Sequence, residues 1–578
     1  MSPHGYQVIG PAAGYATAPG SGARAPASTR AQIGTHTGES VSADPPAPSA
    51  PRSTAQSPRG AAPIAVASPR WGLALAVLVV GMFMSVLDVT IVNVAVPAIQ
   101  TDFGGSLRDV LWIATAYTLT LGVVVPVSGW LGDRFGLRRV YLLALLGFAA
   151  GSALCAIAWS LNALIMFRIV QAVSGGILPV VTMTLIYRIV PRNKIGTAMG
   201  MYGLGVVFAP AVGPVLGGYL VEYVNWRLVF YINVPIGLLG AAAAAAVIPK
   251  VMKGTARRFD LAGFATIALG LFAILLAASK GEDWGWTGYR ILMLFTAGLL
   301  SVALFVVIEL EVTSPLLDLR LLKIWPFSNS LLLSAVLFIS LLAVAFYVPV
   351  YLQQGQGFQA FNAGLLTLPQ ALVMGVLMPL SGRIYDKIGA RWLAIIGLAI
   401  CAVGTYLLVG ITPDMTRAEV ITWTCVRAAG MGMAMMPIMT AGLSAVPPAL
   451  TNQASALTNV VRQVAAALGL AALAALATTQ QAQLFADRAA LTPASKIPRA
   501  DGHTGPLTAK TFAAAYQQFQ HLRLAVLATS YSNLFLLIAT LTATGVVLAL
   551  FLRSGPAAPS TPPQPTSTST HTDQHRLA

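Results

Sequence analysis

Ser128-Gly129-Trp130-Leu131-Gly132-Asp133-Arg134-Phe135-Gly136-Leu137-Arg138-Arg139 is a polar turn between two long apolar runs, and the chain writes it twice. Far downstream stands Ser381-Gly382-Arg383-Ile384-Tyr385-Asp386-Lys387-Ile388-Gly389-Ala390-Arg391. Both fit S-G-x-x-x-D-[RK]-x-G-x-R. Gly129 lets a neighbouring helix approach closely, and Gly136 permits the tight turn. Asp133 suits the positive N-terminal end of a helix from the other copy of the repeat. A second echo links Arg168, followed by small residues and Pro179, to Arg427, followed by Gly430, Gly432 and Pro437.

The runs around these turns are membrane-length. The chain has 578 residues, 56% hydrophobic and only 9% charged, where soluble chains carry about 25% charged residues. Crossing the hydrocarbon takes about 20 apolar residues. Fourteen segments qualify, with cores at 71–97, 109–131, 139–159, 161–186, 197–221, 227–248, 261–279, 290–309, 327–352, 361–382, 391–411, 420–441, 456–479 and 523–552. Helices are expected, because lipid offers no partner to unpaired backbone groups. The short alternating strands of a β-barrel are not seen. The two polar turns follow the second and tenth spans, so the repeat steps by eight. That predicts an all-α membrane protein of six plus two plus six helices: 71–248, an inserted pair within 249–326, and 327–552. Residues 1–70 and 553–578, rich in Pro, Ser, Thr and Ala, are expected to be disordered tails.

Loop charge predicts orientation. With the N-terminus inside, the inner loops carry fifteen Lys/Arg: Arg134, Arg138, Arg139, Arg188, Arg192, Lys194, Lys250, Lys253, Arg257, Arg258, Arg320, Lys323, Arg383, Lys387 and Arg391. The short outer loops carry five: Arg108, Arg227, Lys280, Arg290 and Arg417. This is a positive-inside asymmetry with both termini cytoplasmic. The loop 480–522 then lies outside, with Thr511 to His521 a candidate amphipathic helix. The net charge of +16 fits an anionic inner leaflet. No motif for nucleic acid accompanies it. Abundant Arg, Ala and Gly point to a GC-rich bacterial genome.

The turn at Gly129–Val140 resembles the major facilitator signature G-x-L-[AG]-D-R-x-G-R-[KR]-[KR], with Leu137 departing where a basic residue is common. The resemblance extends over about residues 71–552. In that superfamily the set Gly129, Asp133, Arg134, Gly136, Arg138 and Arg139, with Gly382, Asp386, Lys387, Gly389 and Arg391 in the repeat, implies a gating loop that locks the halves when the transporter opens outward. Leu87-Asp88-Val89-Thr90-Ile91-Val92-Asn93-Val94-Ala95-Val96-Pro97 resembles the L-D-x-T-I-V-N-x-A-L-P signature of fourteen-span drug:proton antiporters, the EmrB/QacA group. Asp88 is the acid placed deep inside a span, at about 2.5–3.5 kcal/mol on insertion scales. An acid held at that cost faces water or a partner and is a candidate to bind and release protons. Arg168 resembles the buried arginine of span 4. It keeps its charge, so it competes for a carboxylate rather than carrying the proton, and Asp88 is its natural partner. The alternative is an arginine that snorkels to the interface.

In span 5, Gly205, Pro210, Gly213, Pro214, Gly217 and Gly218 resemble the antiporter signature G-x-x-x-G-P-x-x-G-G; glycines four and eight apart allow close packing. The run Trp226 to Pro235 is similar to W-R-x-x-F-x-I-N-x-P of the fourteen-span exporters. Asn93, Gln171, Arg427, Met431, Met435, Arg462 and Gln463 are candidates for a substrate cavity. The methionines fit either a pliable wall or plain packing, and Arg462 is a candidate to meet Asp133 across the halves.

Cys155, Cys401 and Cys425 lie in apolar runs and form no metal or disulfide pattern. All six histidines lie outside those runs. No P-loop, H-E-x-x-H or nucleophile elbow is present. The expectation is therefore a proton-coupled exporter of amphiphilic small molecules in the cytoplasmic membrane. It would be no enzyme, hold no cofactor or metal, meet protons, lipids and its substrate but no nucleic acid, and act as a monomer. A nutrient symporter and a non-transporting receptor or scaffold are the alternatives.

Overall fold

In the computed structural model, residues 70–250, 258–412, 415–490 and 509–552 are described, all within one unit, Ala61–Ala578. Both polar tails, residues 491–508 of the long loop, and Lys253 and Arg257 lie outside the described residues. Fourteen long helices follow one another: α1 Trp71–Phe103, α2 Trp112–Phe135, α3 Leu137–Ala156, α4 Leu161–Ile189, α5 Ile195–Tyr223, α6 Asn233–Val247, α7 Leu261–Trp284, α8 Tyr289–Glu311, α9 Trp325–Gln356, α10 Ala360–Ile388, α11 Arg391–Leu407, α12 Arg417–Ser444, α13 Thr451–Ala490 and α14 Ala509–Ala549. Among the described residues there is no strand.

With the helical turn Leu228–Tyr231 counted into α6, thirteen of these are long and apolar enough to cross a membrane. The exception is α12. Arg427, Pro437 and several Thr and Gly residues dilute its apolar character. It needs less, because the helix runs deep inside the bundle, with Arg427, Gly430, Gly432 and most of its methionines buried. Its start is firmly specified: Thr416 and Glu419 form a capping box.

The packing is duplicated as the sequence is. α1 packs on α5, α3 on α4 and α6, and α2 on α4; α9 packs on α13, α11 on α12 and α14, and α10 on α12. Across the halves, α5 meets α10 and α2 meets α13, one pair being the repeat image of the other. α1 ends on left-handed Gly104 and α9 on left-handed Gly357. α7 and α8 pack on each other, and α7 lies against α2 and α13, with Ile267 and Leu271 packed among Val125, Ala456 and Val460. Leu143, Met166, Leu239, Leu300 and Val376 are exposed, an outward apolar surface suited to lipid.

Two boundaries differ from expectation. α13 and α14 are 40 and 41 residues long, so the loop between them is much shorter than 480–522. The stretch Thr511 to His521 is no separate helix; it is the first part of α14. Beyond the spans the extensions still pack on each other. Phe485 meets Phe519 edge-on at 5.8 Å, and the Arg488 guanidinium donates to Thr529 Oγ1 at 2.7 Å.

Candidate functional site

Asp88 lies mid-way along α1 with no solvent exposure. Helices α3, α4 and α6 close on it with polar side chains. Arg168 of α4 donates to and ion-pairs with Asp88 Oδ2. Gln171, one turn further on, donates to Oδ1 at 3.0 Å, and Asn233 of α6 donates to the same oxygen at 3.0 Å. Arg168 also donates to Gln171 Oε1 at 2.8 Å, and the Gln171 and Asn233 amides both donate to Ser152 Oγ of α3. The Tyr117 ring of α2 stacks under the guanidinium at 3.8 Å. Charge meets charge, and neutral donors fill the remaining carboxylate lone pairs, as a buried pair requires. Arg168 is thus inside the bundle, 1% exposed, rather than snorkelling. Gln171 belongs to this network and offers no open wall.

Sequence reasoning names neither Asn233 nor Ser152 as a partner of Asp88, although Asn233 is the asparagine of the Trp226–Pro235 run. Asn233 had a signal: it stands in Ile232-Asn233-Val234-Pro235 at the head of an apolar run. A neutral amide is simply less conspicuous than a charge.

The second half repeats the scaffold and changes the chemistry. Pro97 follows Asp88 by nine residues, and Pro349 follows Ser340 by nine. Arg427 of α12 donates to the Ser340 carbonyl and faces its hydroxyl at 3.4 Å. The Asp88–Arg168 arrangement therefore reappears as Ser340–Arg427, without the carboxylate.

The two polar turns sit at one end of the bundle, the motif end, and hold the halves together there. Asp386 accepts from the backbone of Gly196 at 2.8 Å and Thr197 at 2.9 Å, and from Thr197 Oγ1 at 2.7 Å. A carboxylate thus caps the first turn of α5, where free N–H groups and the helix dipole favour it. In the image of this contact, Asn452 in the first turn of α13 donates to Asp133. Gly382 and Gly196 make the α5–α10 crossing possible, since a Cβ on Gly382 would lie 2.1 Å from the Gly196 carbonyl oxygen. Gly136 and Gly389 turn the chain at φ 89° and 83°. Gly129 packs on the Asn452 backbone and Ala456. Arg138 donates to the Ala245 carbonyl, while Arg134 and Lys387 are exposed and Arg391 is half-buried. The Tyr187 hydroxyl of α4 donates to the Thr440 carbonyl of α12 at 3.2 Å, a further tie between halves.

The packing loosens away from that end. In α13, residues 451–460 are all buried and 461–470 are all half-buried. In α5, residues 195–209 are mostly buried and 218–224 mostly are not. The α5 signature faces α1: Gly205 lies on Val79 and Met82, Gly213 on Thr90 and Ile91, Gly217 on Ile91 and Val94. Pro210 and Pro214 are on the exposed side, and nothing lies within 4 Å of a Cβ on Gly218. The glycine face therefore packs on the turn of α1 that carries Asp88.

Other candidates scatter. Asn93 is exposed, Met431 and Met435 are buried in the core, and Gln463 is half-buried beside Gly122. Arg462 does not meet Asp133. Asn452 holds that place, and at 1.5 Å per residue Arg462 stands roughly 15 Å further along α13, stacked at 3.8 Å on Phe338. Glu309, at the end of α8, is a second buried carboxylate; it accepts from the backbone of Leu316 and Leu317 at 3.1 and 3.2 Å.

Two repeated helical halves joined at one end, with a buried ion pair in one of them, define a polytopic membrane transporter. The chain belongs to the Major Facilitator Superfamily, whose family model matches residues 78–470. It is similar to the uncharacterized MFS-type transporter YhcA of Bacillus subtilis, with 36% identity over 70% of this chain and 76% of that one. It is also similar to the lincomycin resistance protein LmrB of Listeria monocytogenes, 32% identical over 67% of this chain and 83% of that one. The tetracenomycin C resistance and export protein of Streptomyces glaucescens is 31% identical over 72% of this chain and 78% of its own length. Among solved structures, the proton:xylose symporter XylE shares the fold with a TM-score of 0.56 at 14% identity, covering 85% of this chain and 98% of that one.

Proposed function

We propose that this chain is a proton-driven exporter of amphiphilic small molecules, antibiotics among them, acting by drug:proton antiport in a bacterial cytoplasmic membrane. The observation that carries the coupling is the fully buried Asp88 carboxylate, tied to α4 and α6 by Arg168, Gln171 and Asn233. The printed names of the relatives support the export of drugs, and the α5 signature supports antiport over symport.

With both termini inside, the motif end faces the cytoplasm, so this structure is closed inward and loosened outward. Asp88 holds α1 to α4 and α6 while it is charged. A proton arriving from outside neutralises it and withdraws the charge that Arg168, Gln171 and Asn233 point to. The tie weakens, and α1 is released against the glycine face of α5. α5 caps onto Asp386 at its inner end, so its movement is coupled to the inner closure. The halves then reopen inward, the proton leaves, and a new substrate enters. Each charge moved across 100 mV supplies about 2.3 kcal/mol.

Inverted vesicles carrying the chain, given an inwardly acid gradient, are expected to accumulate a fluorescent drug, and Asp88→Asn is expected to abolish accumulation. Equal accumulation by both would remove Asp88 from the coupling. Proton-driven uptake into intact cells would overturn the exporter reading.

A further inference from the structure

Arg462 stands where α13 ceases to be enclosed, among residues all half-buried. Its guanidinium lies 3.8 Å over Phe338 of α9 and hydrogen-bonds Tyr202 of α5, so elements of both halves meet around it. Its Nε and Nη1 are shut from solvent and have no hydrogen-bond partner. A guanidinium offers a planar fork of five N–H donors and never gives up its charge. Buried donors left unmade are costly, and Tyr202 meets only part of this fork, so Nε and Nη1 suit an acceptor.

The surrounding charge says which acceptor. Asp88 is already paired with Arg168. Arg427, the other buried cation of the second half, is answered by the neutral Ser340. Among the described residues, Arg427 and Arg462 pair with no carboxylate, so this region favours an anion over a cationic drug. The buried Phe338 ring covers one face of the guanidinium, and a guanidinium plane also stacks on the aromatic face of a ligand.

We propose that Arg462 recognises the transported molecule where the packing between the halves loosens, and that the preferred substrates are flat apolar molecules bearing an anionic group. This deepens the export reading and rests on it for the direction of transport.

The test uses two dyes that share one aromatic body: anilinonaphthalene sulfonate, an anion, and phenylnaphthylamine, which is neutral. The full chain in lipid nanodiscs is titrated with each. Arg462→Gln is expected to weaken sulfonate binding about tenfold or more and to leave the neutral dye within about twofold of wild type. Arg462→Lys, which keeps the charge but not the fork, is expected to recover part of the loss. Unchanged sulfonate affinity in Arg462→Gln, or an equal loss for both dyes, overturns the proposal. Export is read separately, as proton-driven accumulation of each dye in inverted vesicles. A chain that discriminates the sulfonate through Arg462 but accumulates neither dye upholds the recognition site and overturns only the exporter reading.

Discussion

At the scale of single residues, the molecule places its electrostatic stakes on one pair. Removing one member of a buried pair leaves an unanswered charge and costs about 3–5 kcal/mol, whereas replacing both is often close to neutral. Asp88→Asn is therefore expected to lower thermal stability in detergent, and Asp88→Asn with Arg168→Gln to recover most of it without recovering proton-driven transport. Calorimetry together with vesicle uptake checks both halves of that statement. Asn233→Leu removes one donor from a buried carboxylate and is expected to cost about 1–3 kcal/mol, read in the same melt. Asp88 and Arg168 were legible in the sequence because a charge inside an apolar run has few explanations. Asn233 was not, because an amide there has many. The expected Arg462–Asp133 contact failed for a geometric reason. A residue one turn into a helix and a residue three turns further on cannot serve the same loop, and Asn452 is the one at the helix start.

At the scale of elements, hydropathy reads a span by the lipid it touches. It locates α1 to α11 well because each shows apolar residues to the membrane. α12 is largely enclosed by protein and is the one of the fourteen that falls short of the apolar character of a span. Where α13 and α14 leave the bilayer the hydropathy signal ends, yet the helices continue, because Phe485, Phe519, Arg488 and Thr529 still hold them together. The closure at the motif end is made of helix caps, which gives it a modest and measurable strength. Asp386→Ala removes three hydrogen bonds from the start of α5 and is expected to weaken closure by about 1–2 kcal/mol, a five- to thirtyfold shift in population. With the native cysteines replaced, a cysteine at buried Thr440 is expected to react faster with an impermeant maleimide from the motif side in that variant. Gly382→Leu cannot close at all where a Cβ already has no room, so its transport is expected to fall at least about tenfold.

At the scale of the whole molecule, the duplication was legible from two turns and two arginines, and the packing repeats it helix for helix. Loop charge is the basis of the proposed orientation, and that is directly testable. A cysteine at Arg192 is expected to be labelled only from the cytoplasm and one at Arg108 only from outside. The reversed pattern would turn the cycle proposed above inside out. The 40 residues of α13 make one rod of about 60 Å, twice the roughly 30 Å of hydrocarbon. Its foot is clamped among ten buried residues, and its far end packs against α14. Such a rod is a pointer pivoting near its base. A tilt of a few degrees at the closure, too small to see locally, becomes several ångströms at Arg488. The molecule thus carries its own amplifier, and a pair of dyes on that tip and on the outer end of α7 would report each turn of the cycle in real time.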